Sequence, residues 1–306
     1  MLKSLHFSFH SDGYMLAAVG DGTSLIYSSS NWKLYQKLQH PSYVYTGQFH
    51  PATSSVVVTA GFDRVIRIWR RERDTYTVTQ VLIGLNLFSG YMDLFQELTG
   101  HSTHINCVCF DIDGQFLFSG DNKGTIKMWE SPEGHATGFE SSTDSFAHLK
   151  NKIWSFKREF LVDGMDSGPV CKVAPHPGGR RLLVHTLHPS CPLKMLDLRT
   201  GSVMQSYTDI QNFRLPASSL ISPCGSWVVG GSDCGVVLVW NTDTGEKKTI
   251  IRDMMYDKQV SAVVFHPLEH AMAIASVEPN SKVGKKSFIH SIVSSNLSIL
   301  GRSVHL

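Results

Sequence analysis

Two pairs of histidines, His185 with His188 and His266 with His270, stand three and four residues apart. At those spacings two imidazoles share one face of a helix and could hold a metal ion. Both pairs fall among residues that read as strands and turns, where no such face exists, so no metal site is assigned. Cys107 and Cys109 stand two apart and would share one face of a strand. No CxxC accompanies them, and small core side chains are the simpler reading. Serine, histidine and aspartate are all present, but the short motifs that put them to use are missing. There is no GxxxxGK phosphate cradle, no GxSxG, no HExxH and no EF-hand loop. No catalytic residue and no cofactor follows from these residues, and the chain is expected not to be an enzyme.

The elements that would position any site have to come from the rest of the chain. Of 306 residues, 42% are apolar and 18% charged, the net charge is +2 and the pI is near 8.2. That much apolar surface can build a core, which argues against disorder. The charge is too small, and too evenly spread, to draw in nucleic acid. The longest apolar stretch, Val81 to Phe95, is interrupted by Gly84, Asn86, Gly90 and Asp93. It falls short of the roughly 20 residues needed to span a bilayer. Met1 to Asp12 lacks the apolar run of a signal peptide. Cys107, Cys109, Cys171, Cys191, Cys224 and Cys234 are scattered, a pattern expected of reduced thiols in a cytosolic, soluble protein.

A turn recurs along the chain: His10-Ser11-Asp12-Gly13, His50-Pro51-Ala52-Thr53, Asp111-Ile112-Asp113-Gly114, His176-Pro177-Gly178-Gly179, Ser222-Pro223-Cys224-Gly225 and His266-Pro267-Leu268-Glu269. The shorter spacings match a repeat of roughly 40–45 residues, and the longer ones imply insertions. An alternating run such as Tyr43 to Phe49 precedes the turn. A short apolar run follows: Val56-Val57-Val58, Phe116-Leu117-Phe118, Leu182-Leu183-Val184 or Val228-Val229. A third run often closes on tryptophan, at Trp69, Trp129 and Trp240, while the fourth unit ends instead with Leu193 to Asp197. These are strand-length pieces rich in β-branched and aromatic residues. With one outer strand they make a four-stranded antiparallel sheet that is apolar on both faces. Such a sheet is covered only by standing next to its neighbours around an axis.

Gly100-His101 opening the third unit and Trp129 closing it resemble the WD40 repeat family. That resemblance implies an all-β WD40 β-propeller over residues 1–306, with six recognisable units where the family relative below has seven. In the family a His, an Asp, a Ser or Thr and the Trp form a buried hydrogen-bonded set. His101 and Trp129 match it, and so does Asp63, six residues before Trp69. Asp121 and Asp233 stand too early for Trp129 and Trp240. The wide face formed by d–a and b–c loops is the family's usual peptide-binding side. Tyr43, Phe62, Arg64, His104 and Lys123 are expected near it, although each is also a candidate for packing between sheets.

Longer stretches resemble the jouberin family: HPSYVYTGQFHPATSSVVVTAGFDRVIRIW (His40 to Trp69), HPGGRRLLVHT (His176 to Thr186), KMLDLR (Lys194 to Arg199), SPCGSWVVGGS (Ser222 to Ser232) and VWNTDTGE (Val239 to Glu246). The likeness runs from Leu5 to about Ser276. It implies a protein-interaction scaffold that supports cilium assembly at the basal body and transition zone, with nephrocystin and members of the tectonic complex as partners. The chain departs from that family by lacking its long N-terminal region and its SH3 domain. One unit is missing between those at Phe9 and Phe49, which leaves closure of the ring open. An alternative is a substrate receptor that reads a phosphorylated or modified peptide for a ubiquitin ligase, which needs several Arg and Lys converging on one face.

Two connections, residues 71–98 and 131–168, are longer than the repeat requires. In the first, Thr79 to Phe95 is apolar and reads as an outer strand with a packed loop, or as a partner-binding patch. The second starts as a polar, flexible loop, Ser131 to Ser145. Phe146, Leu149, Ile153, Phe156 and Phe160 then recur at helical spacing, while Trp154 with Phe156 fits a strand. The family resemblance favours the strand.

Overall fold

The computed structural model describes residues 5–10, 14–19, 21–71, 92–131, 153–161, 168–188, 192–210, 219–252, 259–265, 271–277, 287–293 and 301–305. Among them every regular element is a β-strand, and the strands form six four-stranded sheets. The first sheet is β1 (Leu5–His10), β2 (Tyr14–Val19), β3 (Thr23–Ser28) and β4 (Leu34–Gln39) in chain order. The second is β5 (Val44–His50), β6 (Thr53–Gly61), β7 (Ile66–Arg71) and β8 (Met92–Leu98). The third is β9 (Ile105–Phe110), β10 (Phe116–Asp121), β11 (Thr125–Glu130) and β12 (Ser155–Leu161). The fourth is β13 (Val170–Pro175), β14 (Arg181–Thr186), β15 (Leu193–Asp197) and β16 (Val203–Tyr207). The fifth is β17 (Ser219–Ile221), β18 (Trp227–Gly231), β19 (Val236–Asn241) and β20 (Lys247–Arg252). The sixth is β21 (Gln259–Phe265), β22 (Ala271–Val277), β23 (Ser287–Val293) and β24 (Gly301–His305).

Both long connections end in the outer strand of their sheet, β8 and β12. The helical spacing through Phe156 and Phe160 therefore gives way to a strand. Phe160 is buried and Phe156 is exposed, and a sheet edge decides the backbone where the side-chain pattern fits both periods. Thr79 to Tyr91, Phe146 to Lys152, Cys191 and the pair His266 and His270 lie outside the described residues.

The chain divides into two units, Met1–Ser119 with Lys127–Arg158 and Gly120–Ile126 with Glu159–Leu306. In the first, the consecutive valines of β6 show why the sheets are apolar throughout. Successive strand residues point to opposite faces. Val57 packs with Ile26, Leu38, Phe49, Trp69 and Met92, between the first and second sheets. Val58 packs with Ile66, Ile68, Val108, Leu117 and Trp129, between the second and third. Each fully buried valine contributes roughly 1.5–3 kcal/mol, and that gain needs a neighbour on both faces. In the second unit Val228 and Val229 repeat the arrangement. Val228 joins Leu183, Met195, Tyr207 and Trp240, and Val229 joins Val260, Val263, Met272 and Ile274.

Polar joints align the sheets within the first unit. Gln36 of β4 clasps Met92, donating to its carbonyl at 2.7 Å and accepting from its N–H at 2.6 Å. Gln96 of β8 holds Trp154 in the same manner, at 2.8 Å on both sides. On the inner strands Thr46 and Gln48 of β5 accept the N–H groups of Val108 and Phe110 of β9. At the turns, His50 Nδ1 accepts the N–H of Ala52, so Nε2 carries the proton and donates to the carbonyl of Gly114, 3.1 Å away. Gly114 has φ +71°, and its missing Cβ leaves room for the His50 ring. His176 and Gly225 form the same staple in the second unit.

Candidate functional site

The buried sets that brace the loops come first. His101 and Ser119 are buried, with Nε2 and Oγ 2.7 Å apart, and Trp129 Nε1 donates to the same Oγ at 3.0 Å. In the second sheet Trp69 Nε1 donates to Thr59 Oγ1 at 2.8 Å. His40 stands edge-on to Trp69, 5.2 Å between ring centres, and bonds Ser24 Oγ at 3.1 Å. Burial first, and the Arg67 guanidinium second, hold the His40 imidazole down at about 4. The Asp63 carboxylate acts on the His40 imidazole through its charge, opposing the effect of burial. It accepts from Arg67 at 2.6 Å and from the N–H of Val65. Asp121 is fully buried, and its Oδ1 accepts the N–H groups of Lys123 and Thr125, closing that turn.

Trp240 differs from the other two. Its Nε1 is buried with no hydrogen-bond partner. Each of the paired tryptophans reaches a hydroxyl ten residues earlier, and ten residues before Trp240 stands Gly230, which has no side chain to offer. In the fourth sheet the corresponding places hold Met195 and His185. His185 is fully buried, 3.0 Å from Ser219 Oγ, and burial pushes its imidazole down to about 3.

Four of the five residues expected at a partner-binding face come together in the first unit. Gly61 lets the backbone of Tyr43 approach closely; a Cβ there would collide with the Tyr43 carbonyl. That carbonyl accepts the N–H of Phe62 at 2.9 Å. The Tyr43 and Phe62 rings consequently meet edge to face, 6.5 Å apart. Phe62 lies parallel to His104 at 6.0 Å, and His104 meets the edge of Tyr45 at 5.8 Å. The result is a continuous row of four rings drawn from the loops that lead into β5 and β9, from the turn after β6 and, for Tyr45, from β5 itself. Tyr43 is 55% and Phe62 53% exposed, so the row has an open side. Burial, with neighbouring Tyr43, raises the Tyr45 phenol above its ordinary value and keeps it a neutral donor.

Arg64 sits beside this row. Its φ is +68°, a left-handed conformation that a bulky side chain adopts at a cost. Its Nη1 reaches the carbonyl of Ser102 at 3.5 Å. The nearby carboxylates are already engaged, since Arg67 holds Asp63 at 2.6 Å and Glu97 at 2.9 Å. Lys123 belongs to the second unit, exposed on its own turn. Among the described residues no group of three or more His, Cys, Asp or Glu could hold a metal ion, and no helix is long and apolar enough to cross a membrane. Sequence reasoning missed Tyr45 as part of the row, although its place in the alternation after Tyr43 put it on the same side of the strand. It also missed His40, Thr59 and Ser119, for which a tryptophan with a hydroxyl ten residues earlier is a usable signal.

Comparison with known proteins bears on these loops. The WD40 family, described as WD domain, G-beta repeat, matches residues 32–70 and 92–130, which cover the second sheet and most of the third. Jouberin of Mus musculus is 29% identical over 268 residues, 87% of this chain and 23% of the mouse protein. Jouberin of Rattus norvegicus shows the same identity and coverage. Autophagy-related protein 16 of Arabidopsis thaliana is 23% identical over 80% of the chain and 40% of its own length. The chain thus spans less than a quarter of the length of the jouberins it matches. The matched repeats and the four-stranded sheets together give the chain the WD40 β-propeller fold class, and its sequence is distantly similar to jouberin.

Proposed function

We propose that the chain is a non-enzymatic, jouberin-like interaction scaffold, cytoplasmic, acting in cilium assembly at the basal body and transition zone. WD40 repeats mediate protein–protein contacts, and loops on a rigid frame can present a few anchor residues with little loss of freedom on binding. The observation that carries the reading is the half-exposed aromatic row Tyr43, Phe62, His104 and Tyr45, built on a frame whose sequence resembles jouberin over 87% of the chain. Aromatic and Arg side chains are the commonest anchors of protein interfaces. By the same resemblance, nephrocystin and the tectonic complex are the proposed partners.

A phosphopeptide receptor for a ubiquitin ligase is the weaker alternative. It needs several cations converging, and here Arg67 is committed to Asp63 and Glu97, leaving Arg64 beside the rings. Proximity labelling in ciliated cells tests the reading. Transition-zone proteins among the labelled neighbours are expected. Ligase subunits without them would overturn it.

A further inference from the structure

The aromatic row has a chemistry of its own, and its charge decides what it takes. Bare aromatic faces attract cations, so a row of rings alone would favour a lysine or arginine from a partner. Arg64 reverses that preference. Among the described residues it has no carboxylate within ion-pair distance, because Asp63 and Glu97 both face Arg67, itself buried. A cationic partner residue brought to Phe62 would meet an uncompensated guanidinium.

We infer that the ledge formed by Tyr43, Phe62 and Arg64 binds an extended partner segment in which a large apolar side chain stands within about two residues of a carboxylate, the apolar group lying on the exposed rings and the carboxylate pairing with Arg64. In an extended segment residues two apart point to the same side, roughly 6.5–7 Å apart. Phe62 and Arg64 are both exposed on one turn, and the planar guanidinium suits a carboxylate. The backbone of Arg64 supports the assignment. A long side chain held at φ +68°, where glycine would sit without strain, is a local cost that a binding role accounts for. This inference rests on the interaction-scaffold reading and names the partner's chemistry.

The test uses the whole chain as bait for a displayed library of short random peptides. Selected peptides are then measured by fluorescence anisotropy against the native protein, Phe62→Ala and Arg64→Glu. Selected sequences should be enriched for Asp or Glu next to Phe, Leu, Ile or Trp. Each substitution should weaken binding about tenfold, as for an interface anchor. A peptide whose carboxylate is replaced by lysine should regain affinity for Arg64→Glu, and added salt should weaken native binding. Unchanged thermal melting of both variants separates these effects from unfolding. Peptides that lose binding with Phe62→Ala, yet carry no acidic residue and ignore Arg64→Glu, would overturn the inference while leaving the ledge as a binding site. Peptides indifferent to both substitutions would overturn the ledge itself.

Discussion

Ser119 serves two buried partners at once, and replacing it with alanine tests how these sheets are braced. Its Oγ accepts from Trp129 Nε1 at 3.0 Å and bonds His101 Nε2 at 2.7 Å, and all three residues are buried. Ser119→Ala removes one atom and opens almost no cavity, so packing loss is minor. The damage lies in the stranded partners. A buried donor or acceptor left without a partner costs about 1–3 kcal/mol. Two such groups put the expected loss at about 2–6 kcal/mol. In a Trp129→Phe background one of them no longer exists, so the same change should cost about 1–3 kcal/mol, and the two substitutions should couple by about 1–3 kcal/mol. Ser119→Thr keeps the hydroxyl, and Thr59 performs the same task for Trp69 at 2.8 Å, so that variant should keep most of the stability. Urea denaturation followed by circular dichroism reads each value from the midpoint and slope. A loss below about 0.5 kcal/mol for Ser119→Ala, or strict additivity with Trp129→Phe, would refute the reasoning that one hydroxyl serves two buried groups.

Four further outcomes follow from the same geometry. Acid should destabilise the fold: His185 and His40 are held neutral, at about 3 and about 4, while an unfolded histidine titrates near 6.5. Their contribution is complete above about pH 6.5 and is lost as pH falls toward the folded values, with His185 alone removing about 2 kcal/mol between pH 6.5 and 5; urea midpoints across that range check it. Gly114→Ala should cost more than Gly179→Ala. Both have positive φ, but a Cβ at Gly114 meets the His50 ring and one at Gly179 meets nothing within 4 Å, so both carry the roughly 1–2 kcal/mol of left-handed backbone and only Gly114 also disturbs a staple; melting temperatures compare them. Arg64→Gly should raise stability by about 1 kcal/mol through relief of its backbone while weakening binding of the selected peptides by up to about tenfold, measured by denaturation and anisotropy on one sample. Gly230→Ser should lower stability by about 1–3 kcal/mol, as overpacking of a buried site does, because a Cβ there meets the Ile210 methyl at 2.8 Å and the six-membered ring of Trp240 at 3.3 Å; an unchanged urea midpoint would count against this close packing.

Much of the fold was legible because its signals are local and repeated. The runs at Val56 to Val58 and Val228 to Val229 are continuous rather than alternating, which says that both faces of the strand are covered, and both faces are. The recurrent turn was equally plain, though its meaning was not. His50 and His176 read as the residue before a proline, and their role as staples to Gly114 and Gly225 depends on residues 64 and 49 positions away. The run through Phe156 and Phe160 left helix and strand open, and the strand that the family resemblance favoured is the one formed over Ser155–Leu161. A short amphipathic run fits two periods, and pairing to β11 chose between them. Asp63 was expected beside a tryptophan set; its carboxylate bonds Arg67 and the N–H of Val65, and its charge reaches His40, the imidazole that stands edge-on to Trp69. The aromatic row was half visible. Tyr43, Phe62, Arg64 and His104 were named from their loops, but that their rings touch follows from the Gly61 approach to the Tyr43 carbonyl, a contact that no pattern in one sequence encodes.

The row and the joints between sheets belong to one physical argument. Aromatic anchors bind well when they are ordered before the partner arrives, because freezing a side chain or loop on binding subtracts from affinity. Here the loops carrying Tyr43, Phe62 and His104 run from β4 to β5, from β6 to β7 and from β8 to β9. The inner strands β5 and β9 are tied side by side by Thr46 and Gln48, and the outer strand β8 is clasped on both sides by the Gln36 and Gln96 amides. Each clasp satisfies a backbone N–H and a backbone carbonyl at once, so sliding one sheet along the next by a single residue would strand both groups. That fixes the offset between the second and third sheets, and the offset sets the distance from Phe62, carried by one sheet, to His104, carried by the other. Loosening a clasp with Gln96→Leu should therefore weaken peptide binding at a ledge that Gln96 does not line.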